Sequence, residues 1–192
     1  SSTAQNPSIA NATVAATGTY TVTATNGCAP DATETVNVVV NAPANAGTNG
    51  TLTICAGSTV NAAQLFAQLG GTPQSGGNWS PAFAGAGVYT YTVNGIAPCT
   101  NATATVTVSE QAQPNAGTNG TLTICAGSTV NAAQLFAQLG GTPAVGGTWS
   151  PAFAGAGVYT YSVAAVAPCT GNAIATVTVS EQAQPNAGTN GT

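Results

Sequence analysis

The stretch GTLTICAGSTVNAAQLFAQLGGTP at residues 50–73 changes its hydrophobic period partway along, and it returns letter for letter at residues 120–143. In its first part Leu52 and Ile54 alternate with Thr51 and Thr53, the two-residue period of a half-buried strand. Asn61 then offers a good N-cap, and AAQLFAQL places Leu65, Phe66 and Leu69 on one helical face. Gly70 and Gly71, followed by Pro73, stop that helix after about two turns. A strand leading into one short helix is therefore expected twice.

Outward from this stretch, residues 45–114 and 115–185 are two copies of one unit. Gln74, Ser75 and Asn78 stand where the second copy has Ala144, Val145 and Thr148. Thr92 corresponds to Ser162, Asn94-Gly95-Ile96 to Ala164-Ala165-Val166, and Thr103 to Ile174, with one residue inserted near Gly171. Most of these changes fall in expected loops, where substitution is tolerated. A further strand is expected around Trp79, another at VYTYTV with Tyr89, Tyr91 and Val93 on one face, and a last at ATATVTV with Ala104, Val106 and Val108 inward. Short strands at this spacing predict a mainly β fold of antiparallel sandwiches in tandem, each with one short helix.

The flanks follow the same unit. GTYTVTATNGCAP and ATETVNVVV, within residues 1–44, parallel GVYTYTVNGIAPC and ATATVTVSE, the second half of the repeat. NAGTNGT at residues 186–192 starts it a third time. The expected organisation is a partial domain at 1–44, full repeats at 45–114 and 115–185, and the start of another at 186–192: a window onto a longer array.

The chain has no Lys, Arg or His, and its only carboxylates are Asp31, Glu34, Glu110 and Glu181. Without imidazole or amine there is no Ser-His-Asp or Cys-His arrangement and no Schiff-base nucleophile, so no catalytic residue is proposed. Nucleic acid is an improbable partner for a formal charge of −4, because its binding depends on cations that neutralise phosphate. Each full repeat holds one Glu, too few for a glycosidase pair or a calcium cage, so neither metal nor cofactor is expected. Asn, Thr, Gly and Pro interrupt the long uncharged run, which argues against membrane insertion. What remains is a structural or binding protein.

Five cysteines occur, and each full repeat holds two at equivalent positions. No Cys-x-x-Cys spacing accompanies them, so a zinc site is improbable and the natural pairing is Cys55–Cys99 with Cys125–Cys169. Each bridge would close a loop of about 45 residues, worth roughly 4 kcal/mol on the chain-entropy account. Cys28 aligns with the second cysteine of the repeat; its partner lies upstream of Ser1, or it is a free thiol or an inter-chain link. Oxidised cysteines place the protein outside the cytoplasm.

Trp79 and Trp149, with Tyr89 and Tyr159 nearby, admit two readings: a stacking platform for glycans, or packing in the core of a small sandwich.

The runs TLTICAGSTVNAAQLFAQLGGTP, GGNWSPAFAGAGVYTYTV and APCTNATATVTVSEQAQPNAGTNGT resemble the Ig-like tandem repeats of giant secreted adhesin-type proteins of Bacteroidota, exported by the type IX secretion system. The resemblance is close over residues 45–192 and looser over 1–44. It implies Ig-like domains, an extracellular or cell-surface location, a role as stalk, adhesin or filament, and as partners copies of itself and surface glycans. Members commonly carry acidic residues where this chain has Asn49, Ala62, Gln74 and Asn119, so calcium rigidification is not implied.

Overall fold

A computed structural model describes residues 2–186 and Gly188. The chain is mainly β and forms two compact units, Ser1–Leu52 with Val60–Val108, and Thr53–Thr59 with Ser109–Thr192. One boundary therefore falls inside the first copy of the repeat, between Leu52 and Thr53, so folded unit and sequence repeat are out of phase.

Near the N-terminus β1 (Gly18–Ala24) pairs antiparallel with β2 (Ala32–Val38), Gly18 opposite Val38 and Ala24 opposite Ala32. These two make a sheet of their own, with every residue exposed. The first full repeat then supplies β3 (Gly50–Cys55), α1 (Ala62–Phe66), β4 (Asn78–Ser80), β5 (Gly87–Val93) and β6 (Ala102–Gln111), with strand order β3-β6-β5-β4. The second supplies β7 (Gly120–Cys125), α2 (Ala132–Phe136), β8 (Thr148–Ser150), β9 (Gly157–Val163) and β10 (Ala173–Gln182), ordered β7-β10-β9-β8.

The expectation of purely antiparallel sheets needs correction. β10 runs antiparallel to β9 but parallel to β7, with Val177 opposite Gly120 and Gln182 opposite Cys125. Parallel neighbours need a long crossover. Here α2, β8 and β9 provide it, carrying the chain to the opposite edge of the sheet at β8 and back through β9 to a place beside β7. The four strands of the second repeat thus belong to one mixed sheet, and the four of the first form one sheet in the same order.

Burial follows the predicted alternation. Tyr89, Tyr91 and Val93 of β5 are buried, as are Ala104, Val106 and Val108 of β6. In the second unit the core joins Leu135 and Leu139, from α2 and its exit, to Tyr159, Tyr161, Ala175, Val177 and Val179 of the sheet, with Ala116 and Val130. Phe136 and Trp149 pack against its margin.

The helices are shorter than the apolar pattern suggests but well closed at their start. Asn131 Oδ1 accepts from Gln134 N at 3.0 Å, and Gln134 Oε1 accepts from Asn131 N at 3.0 Å. Asn61 and Gln64 repeat this reciprocal cap. It satisfies two of the amides a helix start leaves without partners. No described helix is long and apolar enough to cross a membrane.

Three Asx turns mark the unit starts. Gly47 N donates to Asn45 Oδ1 and Gly117 N to Asn115 Oδ1, both at 2.9 Å, and Gly188 N donates to Asn186 Oδ1 at 2.8 Å. The rest of the expected third start, Ala187 and residues 189–192, lies outside the described residues.

Leu135 has no exposed surface. Leu135→Ala is expected to cost about 2–5 kcal/mol in urea unfolding, through lost burial and the cavity left behind. Asn131→Ala should cost only about 1 kcal/mol, the usual loss for an N-cap.

Candidate functional site: the cysteines and the aromatic clefts

The disulfide differs from the expected pairing. Cys55 is bonded to Cys169, with Cα atoms 4.8 Å apart and a sequence separation of 114. Cys28, Cys99 and Cys125 are free thiols, so neither Cys55–Cys99 nor Cys125–Cys169 forms. The reason lies at Gln111. Its carbonyl accepts from Ala56 N at 2.8 Å, which fixes the chain just after Cys55, and it lies 3.4 Å from Cys169 Sγ. Both cysteines are thereby gathered at one backbone carbonyl within the second unit.

Thr53 and Ser109 hydroxyls meet at 3.1 Å and Gln113 Nε2 donates to Ala56 O at 2.8 Å, holding the same segment from either side. A polar cleft of about 430 Å³ opens beside the disulfide, lined by Ser58, Gln113, Pro168 and Asn172 among others. The presence of a disulfide indicates a non-reducing setting.

The aromatic candidates separate into two kinds. Tyr89 and Tyr159 are each 2% exposed, so neither offers a ring face to a ligand, and both are corrected from binding candidates to core residues. Their hydroxyls are used internally: Tyr159 donates to Gly155 O at 2.9 Å and accepts from Ala154 N at 3.0 Å, as Tyr89 does with Gly85 and Ala84.

Trp79 and Trp149 are half-buried, each with its ring centroid 5.0 Å from a buried tyrosine, Tyr91 or Tyr161. Phe66 and Phe136 meet those tyrosines edge-on at 5.5 and 5.4 Å. Such tilted and edge-to-face contacts are favourable aromatic geometries. Beside Trp79 lies a cleft of about 290 Å³ lined by Ala62, Ala63, Phe66, Ser75, Gly77 and Tyr91.

Sugar recognition combines a stacking face with converging hydrogen-bond partners. In this cleft Ser75 is the side-chain hydroxyl left for a ligand, because the Tyr91 hydroxyl donates to Gln74 O at 2.7 Å and accepts from Gly77 N at 2.8 Å. The second repeat replaces Ser75 by Val145, which is 84% exposed. These tyrosines were legible in the sequence as inward residues, but their second task, tethering the loop before β4 or β8, was not.

Compared with known proteins, the chain matches no family model, no curated protein and no solved structure.

Titration of the non-reduced, denatured chain is expected to find three thiols, rising to five after reduction, with peptide mapping linking Cys55 to Cys169. Tyr161→Phe removes both partners of the loop and should lower stability by about 1–3 kcal/mol in urea unfolding, the cost of stranding buried polar groups.

Proposed function

We propose that this chain is part of a non-catalytic, extracellular repeat protein of the bacterial surface, built of Ig-like sandwich units in tandem and serving as a stalk or filament. The Bacteroidota-type, type IX-exported assemblies it resembles are the proposed class, and copies of itself are the proposed main partner. The observation that supports this most directly is the Cys55–Cys169 bond, which ties the first strand of one sequence repeat to a loop of the next. A covalent tie between successive repeats suits a load-bearing element and has no evident use in a catalyst. The lack of charge accords with it, since the chain offers trypsin-like proteases no cleavage site.

The rival reading, an adhesin domain that holds surface glycans through Trp79 and Trp149, is favoured by the partial exposure of both tryptophans. The poverty of hydrogen-bonding side chains around Trp79 weighs against it.

Electron microscopy of native, unreduced surface material decorated with antibody against residues 45–114 tests the proposal. Labelled filaments of uniform width with a constant axial repeat are expected; label confined to globular particles would sink it. Single-molecule stretching adds a mechanical check. Reduction should lengthen the fully extended chain by roughly 400 Å, from 114 residues released at about 3.5 Å each.

A further inference from the structure

Asparagine followed by glycine is the pair of residues that most readily loses a side-chain amide, because a glycine backbone, without a Cβ, can bring its nitrogen onto the asparagine Cγ. The chain holds five such pairs: Asn26-Gly27, Asn49-Gly50, Asn94-Gly95, Asn119-Gly120 and Asn190-Gly191, the last lying outside the described residues. The fold guards three of the other four. Asn49 Oδ1 accepts from Thr105 N and Asn119 Oδ1 from Thr176 N, both at 2.8 Å, which ties each side chain to the neighbouring strand. Gly50 and Gly120 open β3 and β7, and a Cβ on either would collide with the carbonyl of Gln68 or Gln138. Closing a ring onto Cγ would require that backbone to leave its sheet. At Asn94 the attacking atom itself is occupied, since Gly95 N donates to Asn101 Oδ1 at 3.0 Å.

Asn26 lies in the turn 25–31 between β1 and β2. Gly27 has φ +84°, and nothing stands within 4 Å of where its Cβ would be. Among the described residues nothing accepts from Gly27 N. The cause is in the turn itself: it is one residue shorter than the turn 94–101, and Asp31 takes the place before β2 that Asn101 takes before β6. Cys28 N donates to Asn26 Oδ1 at 3.0 Å. That bond folds the side chain over its own next peptide and sets an N–H on the oxygen that gains negative charge when Cγ is attacked. Asn45 and Asn115 make the same kind of bond, with Gly47 N and Gly117 N, but the nitrogen that follows each belongs to Ala46 or Ala116, both 2% exposed in the core. Among the described residues Asn26 alone unites a following glycine, a free nitrogen and a polarised amide.

We propose that Asn26 is a self-modifying site, converted by water alone to aspartate and isoaspartate, and selected because the fold leaves Gly27 N free. Gly27 N attacks Asn26 Cγ. The N–Cγ bond forms, the Cγ–Nδ2 bond breaks, and the proton of Gly27 N leaves with the amide as ammonia. Water then adds to either carbonyl of the cyclic imide and opens it, giving aspartate at one carbonyl and, at the other, isoaspartate, whose side-chain carbon carries the chain. Nothing is oxidised or reduced. Either product adds a carboxylate to the turn that already holds Asp31 and takes the formal charge from −4 to −5. Isoaspartate also lengthens the backbone between β1 and β2. In a protein that persists outside the cell such conversion accumulates with age, but the chemistry does not depend on the filament reading.

The test incubates the full 192-residue chain at mildly alkaline pH, folded in one arm and in concentrated urea in the other. Chymotryptic peptides are read by mass spectrometry for the change from amide to acid, and isoaspartate is marked with its methyltransferase. In the folded chain Asn26 is expected to convert roughly tenfold faster than Asn49, Asn94 or Asn119, equivalent to a barrier about 1.4 kcal/mol lower. In urea the four rates are expected to converge, because the guarding bonds are gone. Asn101→Ala frees Gly95 N and is expected to raise conversion at Asn94 several-fold in the folded chain while leaving Asn26 unchanged. Conversion of Asn49, Asn94 or Asn119 as fast as Asn26 in the folded chain would overturn the proposal. So would an equal preference for Asn26 in urea, which would make the selection one of sequence and not of fold, or an Asn94 unaffected by Asn101→Ala.

Discussion

The Tyr161 hydroxyl donates to Ala144 O at 2.7 Å and accepts from Gly147 N at 2.8 Å, and Tyr91 repeats both bonds in the other unit. A chain without cations has no salt bridge between side chains available to hold a loop to a sheet, so neutral hydrogen bonds from buried side chains take that place. Each tyrosine anchors its ring in the core, supports a tryptophan on one side and a phenylalanine on another, and fastens the loop that leads into the short edge strand. Gly77 and Gly147 make this possible: a Cβ at Gly147 would stand 2.5 Å from Tyr161 Cζ. Ring, loop and glycine therefore depend on one another, and the aromatic cluster is the packing centre from which the remaining geometry follows.

Much of this was readable in the residues because it is local. The alternation of Leu52 and Ile54, the inward set Tyr89, Tyr91 and Val93, and the Asn61 cap each depend on neighbours a few positions away. The helix ended at Phe66, short of Leu69, because Gly70 is drawn to Thr48: the two exchange both backbone bonds at 3.0 Å. That is a tertiary competition invisible to a periodicity argument. The parallel pairing of β7 with β10 was hidden for the same reason, since alternation names the buried face of a strand but not its neighbour or direction.

Cysteine pairing was illegible for a different reason. In a tandem repeat the sequence contexts of Cys55 and Cys125 are identical, so nothing local distinguishes a partner in the same copy from one in the next. Loop entropy does not decide either. Closing 114 residues instead of about 45 costs only about 1 kcal/mol more, because closure entropy grows with the logarithm of length. In the folded chain the Gln111 carbonyl holds Ala56 and stands beside Cys169, whereas Cys99 lies beside the Asn41 carbonyl.

That choice of partner has a mechanical consequence which the same-copy pairing would lack. Tension applied along the chain passes from Cys55 through the disulfide to Cys169, and residues 56–168 lie off the path while the bond is intact. Those residues include α1, β4 to β9, and both tryptophans. With pairing inside each copy, residues 100–124, including the linker around Pro114 and Asn115 between β6 and β7, would carry the load directly. The out-of-phase bond instead bridges this linker with a covalent tie, so the junction between two copies becomes the protected stretch and not the exposed one.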